Sequence, residues 1–358
     1  MMRKNKLKLL TALLLVIAML ALIACGGADA TAPTDDGGSD AAVPNIAQQP
    51  PMVKGGDTPF DEHGALSVVG TEIHDASGEA YALRGMSTHG LAWFPQYVNE
   101  ETFKYLRDEW HTNCVRLAMY TYEYGGYCSG GDKEQLKSLV RSGVDIATNL
   151  GMYVIVDWHV LGEQNPLTFK EDAKAFFNEM SAQYGAQGNV LYEICNEPNG
   201  GTTWDNVKSY AEEVIPVIRA NDPDGIIIVG TPTWSQNLWD AAAKPLSFDN
   251  VMYALHFYAA THKDDLRNTM ETCINNGLPV FVSEFGICDA SGNGSVDITS
   301  ADKWKALIEK YHVSAMCWNL SNKNEASAII RDGCTKLSGW TDGELSEEGR
   351  WVRDWFKQ

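Results

Sequence analysis

The chain has 358 residues and a formal net charge of −19, with 47 acidic against 28 basic side chains. Such acidity excludes nucleic acid and acidic polysaccharide as natural partners and leaves neutral ligands. The 11 Trp and 14 Tyr suit a protein that offers flat apolar surfaces, although most aromatics in any domain are core.

The first nine residues carry Arg3, Lys4, Lys6 and Lys8 and no acid, and an apolar run follows from Leu10 to Ile23. A basic start, an apolar stretch and small residues before a break form an export signal. The competing reading, a membrane-spanning anchor, needs roughly 20 apolar residues, and this run is shorter. The ending Leu22-Ile23-Ala24-Cys25 resembles a bacterial lipobox, which implies lipidation at Cys25 and a mature protein anchored to a membrane by that lipid. Losing the signal moves the net charge from −19 to about −23, because four positive charges and no negative ones go. From Gly26 to about residue 58 the chain is rich in Ala, Gly, Asp, Pro and Thr and cannot bury enough surface to fold. Residues 1–24 are thus expected to be the signal, 25–58 the lipidated cysteine and an acidic tether, and 59–358 one folded domain. Seven cysteines besides Cys25 show no Cys-x-x-Cys spacing, which disfavours a zinc site. An exported chain permits disulfides, but an odd number leaves at least one thiol free.

Within the folded part, a hairpin over Leu66–Tyr81, turning at Asp75–Gly78, is expected to cap the bottom of the domain. Apolar runs then recur: 82–86, 114–119, 153–157, 190–197, 226–230, 251–255, 279–284 and 313–318. Each is short and continuously apolar, as in parallel strands covered on both faces. Helical patterns separate them: 100–110, a segment opening at Asp132-Lys-Glu-Gln135, 169–183, 204–220, 263–276 and 301–311, with a last one near 347–357. The segment after Asp132 has the spacing of a capped helix, with Leu136, Leu139, Val140, Val144 and Ala147 at helical period until Gly151. Eight alternating units of this kind predict an α/β fold, a (β/α)8 TIM barrel in a single catalytic domain.

In such barrels the reactive groups stand at the C-terminal ends of the strands. There the sequence places Arg116 and Tyr120, Asp157-Trp158-His159, Asn196-Glu197-Pro198, Trp234-Ser235-Gln236, His256-Phe257-Tyr258, Glu284 and Trp318-Asn319. Glu197 and Glu284 each end an apolar run, where a carboxylate is costly unless paired or used. Two acids on one barrel rim are the pattern of a glycosidase.

The stretches Ser87-Thr-His-Gly-Leu-Ala-Trp-Phe94, Val115-Arg-Leu-Ala-Met-Tyr120, Val156-Asp-Trp-His159 and Tyr192-Glu-Ile-Cys-Asn-Glu-Pro198 follow one another along the chain. So do Thr233-Trp-Ser-Gln236, Leu255-His-Phe-Tyr258, Val282-Ser-Glu-Phe-Gly286 and Cys317-Trp-Asn-Leu-Ser-Asn-Lys-Asn-Glu325. With these motifs in order over residues 87–325, the chain resembles glycoside hydrolase family 5, and within it the secreted bacterial endo-β-1,4-glucanases. The resemblance implies that Glu197 is the general acid/base and Glu284 the nucleophile of a retaining, two-step hydrolysis. It implies that Arg116 keeps Glu284 ionised, that Tyr258 donates to it, and that Asn196 bonds the sugar 2-OH. His159 and His256 would lie beside the cleaved sugar. Trp93, Trp234 and Trp318 would stack glucose rings, while His89, Tyr120, Gln236, Lys323 and Glu325 would bond sugar hydroxyls, the last two on the non-reducing side. No cofactor or metal is implied, and a monomer is expected. One departure is Gly162-Glu163 after His159, which bears on the cleft edge rather than on the chemistry.

Three alternatives stay open at this point. Mannan, xyloglucan or mixed-linkage glucan could replace cellulose as substrate within the same mechanism. A surface lipoprotein that captures glycan without cutting it would use the same tether and aromatics. A barrel metal hydrolase would use the histidines as ligands, but no His-x-His or His-Glu-x-x-His spacing occurs.

Overall fold

The computed structural model describes residues 57–358. The expected signal, Cys25 and nearly all of the tether lie outside the described residues. The first element is a short helix α1 (Pro59–His63), capped by the Thr58 hydroxyl, which accepts from the Asp61 N–H. Two antiparallel strands follow, β1 (Ser67–Val69) and β2 (Glu72–His74).

Then come the alternating units: β3 (Arg84–Thr88), α2 (Glu100–Trp110), β4 (Cys114–Tyr120), α3 (Lys133–Asn149), β5 (Tyr153–His159), α4 (Lys170–Tyr184), β6 (Val190–Cys195) and α5 (Trp204–Arg219). The second half runs β7 (Ile227–Val229), the turn α6 (Pro232–Ser235), α7 (Leu238–Ala243), β8 (Val251–Tyr258), α8 (Asp264–Asn275), β9 (Val280–Gly286), α9 (Ile298–Lys310), β10 (Ala315–Leu320) and α10 (Glu347–Phe356). The eight strands β3 to β10 close into one barrel in sequence order, every neighbour parallel, with β10 returning to β3. This is the (β/α)8 barrel that the alternation of runs predicts. Asp132 caps α3 by accepting from the Gln135 N–H, and Thr203 with Asn206 forms a reciprocal box at the start of α5.

Two local readings need correction. The expected hairpin has an earlier turn at Gly70-Thr71, where Gly70 adopts φ 63°, a conformation a tight hairpin favours and most residues resist. Asp75–Gly78 turns the chain as expected, with His74 paired antiparallel to Ala80, Asp75 N–H bonded to Glu79 O and Tyr81 N–H to Ile73 O, so the region holds two consecutive turns rather than one. The Asp75 carboxylate accepts from Ser77 and Glu79 N–H groups there, which fixes that turn locally. The segment after β7, read without a helix, holds α7, only six residues long and too short to show a period.

The strand period of two sorts the core. On β5, Val154, Val156 and Trp158 pack outward against the helices, while Tyr153 and Ile155 belong to the barrel's apolar lower interior. Leu83, Leu191, Ile228, Met252, Phe281 and Met316 fill that lower layer, and Leu66 and Ile73 of the hairpin region close it. Above it the interior turns from apolar to charged, with Arg116, Asp157 and Glu193 fully buried. All seven described cysteines are free thiols, and five of them, Cys195 and Cys317 among them, are buried as small core residues. Among the described residues no helix is long and apolar enough to cross a membrane.

Candidate active site

Ladder register brings the reactive groups level with one another. His256 on β8 is paired with Glu284 on β9, Tyr120 on β4 with His159 on β5, and Asp157 with Glu193 one layer below. Glu197 follows β6, and its N–H donates to Val160 O, fixing the strand-end loop across the rim. As a result one oxygen each of Glu197 and Glu284 and one nitrogen of His256 lie within 4.8 Å of one another.

The charges beneath are tightly shared. Arg116 donates through Nε to Glu193 Oε2 at 2.6 Å and through Nη2 to Asn196 Oδ1 at 2.6 Å. It is also 3.0 Å from Asp157 and only 3.4 Å from Glu284. Arg116 thus stands beside Glu284 as expected, but three carboxylates divide its one guanidinium. Burial and the neighbouring Glu197 charge push the Glu284 carboxyl up, against the pull of His256, Arg116 and Tyr258. Tyr258 O–H does donate to Glu284 Oε1, at 2.7 Å. Burial likewise pushes Glu193 up, but Arg116 and His256 outweigh it and hold the carboxyl at about 2.

Burial draws His256 down, yet Glu193, Glu197 and Glu284 prevail and raise its pKa to about 9. It is an imidazolium at neutral pH, with Nδ1 donating to Glu197 Oε1 at 2.9 Å and Nε2 to Ser283 Oγ at 2.9 Å. Ser283 in turn donates to Glu193 Oε1 at 2.7 Å. His159 is the opposite case: burial and the nearby cations hold it well below the usual histidine range, so it is neutral. Its Nδ1 lies 2.6 Å from Asp157 and its Nε2 3.2 Å from the Asn196 amide.

Of the site residues expected from sequence, all but Arg116 and Asn196 line one cleft of about 790 Å3. Those two lie beneath its floor, fully buried, and the Asn196 amide is engaged at both ends by Arg116, His159 and Val160 O. Trp318 forms the base, its ring stacked 5.2 Å from His159 and its peptide bond to Asn319 cis. Trp93 packs 4.6 Å from Tyr120 at one end. Lys323 pairs with Glu325 at 2.6 Å and approaches His89 Nε2 at 3.2 Å, while Glu325 also accepts from Asn319 and Ser327. Burial and Lys323 lower the His89 pKa to about 4, leaving a neutral ring.

Trp234 and Gln236 line the opposite side, and Trp234 is 45% exposed. Thr233, Trp234 and Ser235 have φ of 63°, 54° and 54°, a left-handed turn that costs about 1–2 kcal/mol per residue. Hydrogen bonds from Trp234 N–H to Pro198 O and from Ser235 O–H to Asn196 O offset that cost. They tie the platform directly to the segment carrying Glu197.

A family model described as Cellulase (glycosyl hydrolase family 5) matches residues 74–324. The chain belongs to glycosyl hydrolase family 5. This family 5 hydrolase is similar to Endoglucanase A of Butyrivibrio fibrisolvens, 50% identical over 299 residues that cover 83% of this chain and 69% of the relative. It is also similar to an endoglucanase of Clostridium saccharobutylicum, 47% identical over 81% of this chain and 64% of that one. The chain thus spans about two thirds of the length of these relatives. Among solved structures, the cellulase Cel5C_n is 43% identical with a TM-score of 0.82, over 86% of this chain and 96% of its own. The catalytic domain of a Thermobifida fusca endoglucanase, solved with cellotetraose, is 38% identical with a TM-score of 0.80, over 84% of this chain and 100% of its own.

Sequence reasoning on the family 5 hydrolase missed Glu193, Ser283 and the role of Asp157. Their signal was present: each is a polar residue at an inward position of an otherwise apolar strand. It also left Gly162-Glu163 unexplained. Glu163 accepts from the Thr121 hydroxyl and the Leu161 N–H, and Gly162 N–H donates to Glu123, so the pair staples the cleft edge at Leu161. A Cβ on Gly162 would lie 2.6 Å from the Tyr122 ring. The Glu197, His256, Glu284 triplet has the spacing of a metal site. However, His256 already donates from both nitrogens and so has no lone pair to offer, and Arg116 adds a second cation beside Glu284.

Proposed function

We propose that this family 5 hydrolase is an endo-acting β-1,4-glucanase that cuts internal glucosidic bonds with retention of configuration. The observation that carries this is the approach of Glu197 and Glu284 within 4.8 Å on the floor of an open aromatic cleft. Direct attack by a carboxylate favours such a close-set pair, whereas inversion needs the two carboxyls set farther apart to admit water between them.

Arg116 and Tyr258 both donate to Glu284, against His256 alone to Glu197, which favours Glu284 as the attacking carboxylate and Glu197 as the proton donor. Glu197 gives its proton to the leaving oxygen as Glu284 attacks the anomeric carbon. Esterified Glu284 has no charge, and Glu197, now an ion held by protonated His256, takes a proton from the water that releases the sugar. Trp93, Trp318 and Trp234 carry successive rings, and the Lys323–Glu325 pair with His89 binds hydroxyls on the non-reducing side. Glu123, Glu197, Glu284 and Glu325 against Lys323 and His256 leave the cleft lining acidic, which gives no attraction to an anionic polymer and fits neutral glucan.

The relatives named as endoglucanases support glucan over mannan. A purely glycan-binding role has no use for the buried Arg116–Glu193–His256–Ser283 network beneath the two acids. We further propose export and lipid anchoring at Cys25, with the catalytic domain acting as a monomer at the cell surface. Purified Glu284→Gln protein should lose about a thousandfold or more in kcat on carboxymethylcellulose, with wild type ahead on β-1,4-glucan in a panel including mannan and xyloglucan. Wild-type rates in the variant would overturn the reading.

A further inference from the structure

Five large apolar side chains stand exposed among the described residues: Val69, Tyr122, Tyr124, Trp234 and Trp239. Tyr122 and Tyr124 lie in the loop after β4, Trp234 in the turn α6 and Trp239 in α7, both in the segment that follows β7. Trp234 lines the cleft, and Tyr122 packs on Gly162 and stacks on Phe169 at 6.5 Å. Tyr124 is different. It is 92% exposed, yet its backbone is held rather than loose.

The Trp93 indole N–H donates to Tyr124 O at 3.0 Å. Gly125 sits against Ala92, next to Trp93, with φ 75°. Tyr127 and Cys128 N–H groups bond back to Tyr120 O and Thr121 O at 2.9 and 2.8 Å, and Gly126 N–H to Glu123 O at 2.7 Å. Glu123, the residue before Tyr124, lines the cleft. The loop therefore fixes the backbone of Tyr124 beside Trp93, and the Tyr124 ring projects from it into solvent next to the cleft lined by Glu123. An aromatic left wholly in water contributes nothing to the fold, since its face gains energy only when something covers it.

We propose that Tyr124 is an outer sugar-binding platform, one ring beyond Trp93 on the non-reducing side, which takes the apolar face of a further β-linked glucose unit. The proposal rests on the reading of the cleft as a β-glucan site. It makes the enzyme favour chains long enough to place a third sugar before the scissile bond.

The test compares an aryl β-cellobioside with the aryl β-cellotrioside of the same leaving group, so that only one sugar at the non-reducing end differs. In wild type the third sugar should raise kcat/KM. In Tyr124→Ala that gain should shrink about five- to tenfold, and Tyr124→Trp should restore it. In parallel, calorimetry on the Glu284→Gln protein, with and without Tyr124→Ala, measures cellohexaose affinity without turnover, and the Tyr124 change should weaken it about fivefold. An equal gain from the third sugar in wild type and Tyr124→Ala, with equal cellohexaose affinity, overturns the platform. Failure of wild type to cleave either glycoside overturns the glucanase reading instead, and the binding arm still decides on Tyr124.

Discussion

At the scale of single residues, His256 shows how the site is built from compensating charges. Desolvation alone would discharge it, yet three carboxylates hold it charged with a pKa of about 9. A pKa raised from 6.5 means the fold favours the protonated form, so this stability is complete below about pH 6.5 and is lost as pH rises through about 9. The melting-temperature difference between wild type and His256→Asn should therefore be largest at or below pH 6.5 and shrink by pH 9.5. A difference constant across that range would show that His256 is not charged in the fold. Arg116 carries a related lesson. Its identity as a site residue was legible from the motif, but its main partners were not, because Glu193 and Asp157 are brought to it only by strand register.

At the scale of elements, β9 and β8 must approach closely enough for Tyr258 to reach Glu284. Gly286 makes that possible, since a Cβ there would lie 2.8 Å from the Tyr258 ring. Gly286→Ala should displace the ring and cost about ten- to a hundredfold in kcat, the size of a lost hydrogen bond to a charged group. Tyr258→Phe should cost a similar factor, and the double variant should cost little more than either alone. Fully multiplicative effects would mean that Gly286 acts on something other than Tyr258. Elements were legible in the sequence where length carried the period, as in α2, α3 and α5. The short α7 was not, because six residues are too few to show a period, and the left-handed turn at Thr233–Ser235 was not, because its shape comes from contacts with the segment after β6 rather than from local propensity.

At the scale of the whole molecule, the eight apolar runs were enough to predict the barrel, because parallel strands covered on both sides announce themselves by continuity. The barrel then places every strand end on one rim, so a cleft with two acids followed from topology. What the sequence marked only as polar residues on inward strand positions is the layer below the rim, where Arg116, Glu193, Asp157, Ser283 and His256 form one network beneath the two glutamates. The account's central claim is that Glu284 attacks the sugar directly while Glu197 moves the proton. Proton NMR of the first products released from a β-1,4-linked cello-oligosaccharide tests it most directly. The account predicts that the new reducing end appears first as the β-anomer and only later equilibrates. A first-formed α-anomer would show water attacking in a single displacement and would contradict the assigned role of Glu284.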